Sequence, residues 1–213
     1  ERLLPLLARL LYGRLLAKGV RHHKANKQGP GARRAAVLSF LAGLAPGELA
    51  PFVYLATRAF LPPAHDAAAR GGDGRNNGEL EPSFYTDALA AVQTAGAAVL
   101  VEVPPARTMG FLTTLGDIIT QFGTKAIPYL PLFMHLVIQT IQAVQLVADK
   151  QVETDEQGLP PHLLNLRSTA VKRLQEIAET FAGDYDFSQH AEALWRALAG
   201  PLARLAGAAA GQR

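Results

Sequence analysis

Between Lys18 and Arg34 the chain reads KGVRHHKANKQGPGARR, in which Lys18, Arg21, Lys24, Lys27, Arg33 and Arg34 gather without one acid. His22 and His23 sit in its middle. Four kinds of chemistry use such residues: metal ligation by the imidazoles, a glycine-rich phosphate cradle, contact with nucleic-acid phosphates, or solvation of a surface connection. Spacing argues against the first two. Neighbouring histidines in an extended loop point apart, so they need ligands from elsewhere to hold a metal. KQGPGARR has glycines and cations, but not the G-x-x-x-x-G-K-S/T order, and no hydroxyl follows to hold magnesium.

Other constellations are weaker still. The serines lack the G-x-S-x-G elbow that exposes a nucleophile, and no H-E-x-x-H or histidine pair four apart occurs. His65 and Asp66 fall in a Gly-, Pro- and Asn-rich stretch that would not preorganise them. Asp184 and Asp186 suit a loop or helix cap, and His162 and His190 helix beginnings. Trp195 reads as a packing residue. There is no cysteine, which excludes disulfides, thiol catalysis and the most specific zinc ligands, and points to a reducing compartment. The sequence therefore predicts no enzyme, no cofactor and no small-molecule substrate.

The elements that must carry the basic run are helical. The chain has 213 residues, 49% hydrophobic and only 7% aromatic, a composition of Leu, Ala, Val and Ile that suits closely packed helices. Beginning at Glu1 inside an apolar run, it reads as a piece of something longer, with cut ends that predict poor solubility in isolation. Net charge is +3, unevenly spread. Residues 1–75 hold twelve Lys or Arg against four acids, a net +8, and the remainder nine against fourteen, a net −5. A basic N-terminal part implies an anionic partner on one side.

Residues 127–148, IPYLPLFMHLVIQTIQAVQLVA, are long enough to span a bilayer. Yet His135, Gln139, Gln142 and Gln145 recur at helical spacing, a narrow polar stripe on an otherwise buried helix. The expectation is a core helix and no membrane.

Two patterns alternate. RRAAVLSFLAGL, RTMGFLTTLGDII and RSTAVKRLQEIAETF each put a small residue (Ala36, Gly110, Ala170) three places after Arg33, Arg107 or Arg167. LLPLLARLL, LAPFVYLAT and YLPLFMHLV each put Pro5, Pro51 or Pro131 before an apolar stripe. A first proline spacing of 46 fits the roughly 40–47-residue period of HEAT and armadillo helix pairs. The second, 80, is longer, and the excess is assigned to residues 62–83. The predicted fold is all-α, a HEAT/armadillo-like helical-repeat solenoid spanning 1–213. It carries a basic loop at 18–32, a disordered insertion at 62–83 and an acidic loop at 149–161. The repeated arginines are expected to bond carbonyls or acids of a neighbouring turn.

LLPLLARLLYGRLL, the basic loop and ARRAAVLSFLAGLAPGEL together resemble the DRIM (down-regulated in metastasis) family of very large HEAT-repeat proteins. GFLTTLGDIITQFGTKAIPYLPLFMHLVI and LRSTAVKRLQEIAETFAGDYDF resemble the segments that follow. The resemblance implies a non-catalytic scaffold of the small-subunit processome, in the nucleus and nucleolus, with other processome proteins as partners. In that setting Lys18, Arg21, His22, His23, Lys24, Lys27, Arg33 and Arg34 are the candidate contacts to pre-ribosomal RNA phosphates or to an acidic protein. Lacking interleaved aromatics, they would grip a backbone rather than read bases. The alternative is a general protein-binding HEAT module of transport or signalling type, without RNA contact.

Overall fold

A computed structural model describes residues 30–61, 83–153 and 159–210. Among them the structure is all helical, with no strand. The α-helices are α1 (Pro30–Ala42), α2 (Ala50–Thr57), α3 (Ser83–Glu102), α4 (Pro105–Phe122), α5 (Leu130–Glu153), α6 (Pro161–Phe181) and α7 (Ala191–Ala210).

Proline sets the starts. The helices that carry the arginine pattern, α1, α4 and α6, each have proline as their first residue: Pro30, Pro105 and Pro161. The first N–H groups of a helix have no internal partner, so proline loses nothing there, and its fixed φ is already helical. Pro104 and Pro160, one residue earlier, are extended, and their carbonyls accept the first turn's N–H groups of Arg107 and Leu163 at 2.8 and 2.9 Å. The helices of the other pattern, α2 and α5, hold proline second (Pro51, Pro131), and each grows directly out of a 3₁₀ turn, Pro46–Leu49 and Gly123–Tyr129.

Helices stack in two layers. In one, α5 packs between α3 and α7; in the other, α4 packs between α1 and α6. The α5–α6 contact joins the layers. This is the arrangement of a helical-repeat array, in which each pair covers its apolar face with the next. Helix α3 departs from the expected alternation. It lies between the Pro51 and Arg107 helices, just beyond the expected insertion at 62–83, in a stretch where the two sequence patterns placed no helix. Its path bends at Gly96, whose φ of 68° belongs to the left-handed region that glycine adopts most readily. At the other boundary, residues 149–153, expected to open the acidic loop, are the last turns of α5. The first turn of α1 likewise claims 30–32 from the expected basic loop. The expected insertion at 62–83 lies outside the described residues up to position 82.

Helix α5 is the core. Leu136, Val137 and Ile138 are all 1% exposed or less. Three consecutive residues cannot share one helix face, so at this turn the helix is covered on most sides, whereas Leu146, Asp149 and Lys150 nearer its end are exposed. By length and composition a stretch within Pro105–Gln151 could cross a membrane, but 67% of it is buried inside the protein. Phe133 of α5 meets Phe111 of α4 at 6.4 Å between ring centres, and Phe111 meets Phe60 at 4.9 Å.

The buried end of α5 predicts a large truncation cost. Phe133→Ala is expected to destabilise the chain by about 3–5 kcal/mol, read as a lower midpoint of denaturant unfolding. A loss below about 1 kcal/mol would mean that the rings are not packed as described.

Candidate functional site

The basic run enters the fold through α1. Arg33 and Arg34 lie in its first turns, while Lys18, Arg21, His22, His23, Lys24 and Lys27 fall outside the described residues, as do the side chains of Arg33 and Arg34. What the structure shows is how α1 is fixed. Leu38 and Leu41 are buried, and the helix packs on α4. At its C-terminal end the Lys125 ammonium donates to the carbonyls of Ala42 and Leu44 at 2.5 and 2.9 Å. A cation there satisfies acceptors left without helical partners and sits at the negative end of the helix dipole. Four residues on from Lys125, the Tyr129 hydroxyl donates to the Pro46 carbonyl, and burial pushes its phenol up to about 12. The 3₁₀ turn Gly123–Tyr129 thus clasps the α1–α2 connection of the preceding unit.

Two of the three repeated arginines, Arg107 and Arg167, do not make the bonds expected of them. Arg107 is exposed and Arg167 half-buried, and among the described residues neither side chain forms a hydrogen bond or ion pair. An arginine that does work between helices is Arg173 of α6. Its guanidinium lies against Gly116 of α4, in the space a Cβ there would fill, and pairs with Glu176. Its side chain is 15% exposed, and its Nε is buried without an acceptor. A glycine inside a helix costs about 1 kcal/mol relative to alanine. That unexplained glycine in TTLGDII was the available signal for a close approach.

The polar stripe on α5 divides. Gln139 is buried and its Nε2 donates to the Val92 carbonyl of α3 at 2.8 Å, with His135 Nε2 at 3.0 Å. Gln142 is half-buried and Gln145 bonds Asp149 at 2.7 Å. Asp186 sits in the loop before α7, one of the two places expected for it: its Oδ1 accepts the Ser188 N–H at 2.9 Å, and hydrogen bonding from the Ser188 side chain and then from that N–H holds its carboxyl below the usual range. His162 and His190 stand at helix starts, as the sequence implied. Trp195 does not pack. It is 68% exposed on α7, where the sequence suggested burial. An apolar cleft of about 40 Å³, lined by Leu100, Val103, Thr108, Val144 and Leu163 among others, opens where α3, α4, α5 and α6 meet. Among the described residues no three His, Asp or Glu side chains converge as metal ligands would.

The decisive comparison is with protein families. The family described as U3 small nucleolar RNA-associated protein 20, N-terminal, matches residues 1–206. The chain belongs to that family. Membership assigns it to ribosome biogenesis, among nucleolar components of the small-subunit processome. The family match includes the whole basic run and both helix patterns. No solved structure matches the chain.

Two substitutions test the interhelical seams. Lys125→Met leaves the Ala42 and Leu44 carbonyls without their ammonium and is expected to destabilise by about 1–3 kcal/mol in denaturant melts. An unchanged midpoint would mean that the clasp carries no energy. Gly116→Ala is expected to gain little alone, because the new methyl displaces the Arg173 guanidinium. In an Arg173→Ala background it should recover the helix-propensity gain of about 1 kcal/mol. The cycle should show coupling of about 1 kcal/mol, and strict additivity would contradict the contact.

Proposed function

We propose that the chain is a non-catalytic scaffold of the small-subunit processome whose basic segment, 18–34, grips pre-ribosomal RNA along its phosphate backbone. The observation that carries the reading is the family match over residues 1–206, which covers a run of six Lys or Arg with no acid. Each phosphate neutralised releases counterions, so such a run binds any RNA strand in a salt-dependent way. Without interleaved aromatics it supplies position, and sequence choice is left to other parts of the assembly. The helices behind it have the opposite task. Pinned by Lys125 and by packing on α4, α1 offers a fixed base from which the basic segment emerges. The described site holds hydrogen-bonded clamps and apolar seams, which suits a scaffold.

A second reading, a protein-binding module without RNA contact, is favoured by one observation. Trp195 is 68% exposed, and exposed tryptophans are common anchors of protein contacts. The two readings put the partner at opposite ends of the chain.

Binding of single-stranded pre-ribosomal RNA fragments to the whole chain, followed over a range of salt, separates them. The logarithm of affinity should fall with the logarithm of salt. Lys24→Ala with Lys27→Ala should make that slope shallower by about 0.7 for each phosphate no longer neutralised. A slope unchanged by these substitutions, with nuclease-resistant capture of processome proteins abolished by Trp195→Ala, would overturn the RNA reading.

A further inference from the structure

The arginine pattern of the sequence is used by none of the seams between helices. We propose that Arg107 and Arg167 form a phosphate-gripping edge, along which an RNA strand held by the basic segment continues across the starts of α4 and α6. The edge takes its ligand from the RNA reading of 18–34 and rests on it.

Three helix starts gather at one edge of the layer formed by α1, α4 and α6. Lys125, three residues past the end of α4, donates to the carbonyls of Ala42 and Leu44 at the end of α1. The two helices pack on each other with these ends together, so they run parallel and their starts lie at the opposite end. At about 1.5 Å per residue, Pro30 stands about 18 Å before Ala42, and Arg107 about 22 Å before Phe122. The basic segment, which leads into Pro30, therefore meets α1 near the level of Arg107. Arg33 and Arg34 follow in the first turns of α1.

Helix α6 begins at the same edge. Val103, Pro105 and Thr108, around the start of α4, line one cleft with Leu163 and Leu166 from the start of α6. Arg107 and Arg167 are the chain neighbours of Thr108 and Leu166, so both cations are anchored at the rim of that cleft. His162 is exposed on the first turn of α6.

These arginines are uncommitted within the fold. Arg107 is exposed, Arg167 is half-buried, and neither guanidinium has a hydrogen bond or ion pair among the described residues. Other cations on the described helices and turns are engaged. Lys125 and Arg173 cross seams, Lys172 lies 4.0 Å from Glu176, and Arg196 pairs with Glu192. An arginine left open keeps its planar fork of N–H donors for a ligand, and that fork matches the oxygens of a phosphate.

Spacing suits a strand laid across the helices. Packed helices lie about 8–10 Å apart and phosphates along a stacked strand about 3.4 Å, so successive helices offer a cation at every second or third phosphate. Glu102 is exposed at the end of α3, and its like charge keeps the strand off that helix. No aromatic side chain lines the cleft, so the edge positions a backbone and stacks no bases.

Binding of a long oligouridylate to the whole chain, measured over a range of salt, tests the edge. Arg107→Gln combined with Arg167→Gln should make the log–log slope shallower by about 1.4, which is about 0.7 for each phosphate no longer neutralised. Arg107→Lys with Arg167→Lys keeps both charges and should leave the slope as it was. A slope lowered equally by the lysine replacements would mean a disturbed fold, and would overturn the edge. Lys24→Ala with Lys27→Ala on the same strand separates the edge from the reading beneath it. Losses from both pairs that add together support one continuous track. Loss from the Lys24 and Lys27 pair alone overturns the edge and leaves the RNA reading of 18–34 standing. Loss from the arginine pair alone removes that reading and the continuous track with it.

Discussion

Everything described in this chain depends on the burial of the first part of α5, from Leu130 to Val144. Its apolar residues face every direction, so no single partner could cover it. Helices α3 and α7 take two sides, α6 a third, and the rings of Phe111 and Tyr129 close the beginning around Phe133. Burying each large side chain contributes about 1.5–3 kcal/mol, and α5 alone supplies Leu130, Phe133, Leu136, Val137 and Ile141 at 0% exposure. The two-layer stack is the geometry that hides such a helix without a sheet. The one strongly polar residue buried along it, Gln139, then has to find its donor's partner in a neighbouring backbone, and Val92 provides it.

Contacts between units are of a different kind. They are made by single long polar side chains that cross a seam and end on backbone or in a space left by glycine. Lys125 and Tyr129 reach back to the α1–α2 connection; Arg173 lies over Gly116. Each hydrogen bond of this kind contributes about 0.5–1.5 kcal/mol, but it fixes direction, which apolar packing does not. A scaffold needs that directional rigidity more than it needs total stability. The family's place in the small-subunit processome is consistent with a chain built to hold surfaces at fixed separations.

Much of this fold is legible in the sequence because helix starts and core stripes leave local marks. Proline before an apolar run locates α2 and α5, and the Leu- and Ile-rich stretch 127–148 identifies the core helix. Helix α3 leaves a fainter mark, since Pro82 directly precedes it but Ser83 and no apolar pair follows, and its Ala-, Val- and Leu-rich run carries a glycine at the bend and no arginine. Its presence is set by the long-range need to cover α5. The arginine repeat is real as a pattern of letters, but Arg107 and Arg167 fall at different helical positions, the third of α4 and the seventh of α6. An arginine's partner is decided by which neighbour it faces, and Arg173 faces a glycine. Trp195 escapes the packing expected of a tryptophan because on α7 no described element lies over it. For the candidate site, charge pattern locates the segment, and only the anchoring of its C-terminal end by α1 comes from the fold.

The central claim is that this family member holds RNA by the segment 18–34 while its helices serve as the frame. Protein–RNA crosslinking with mass spectrometry on the native processome tests it most directly. Nucleotide adducts should concentrate on peptides from 18–34, with few on the buried α5. If neighbouring parts of the assembly crosslink well and 18–34 carries no adduct, the RNA contact is contradicted, and the charges of that segment belong to a protein neighbour or to solvent.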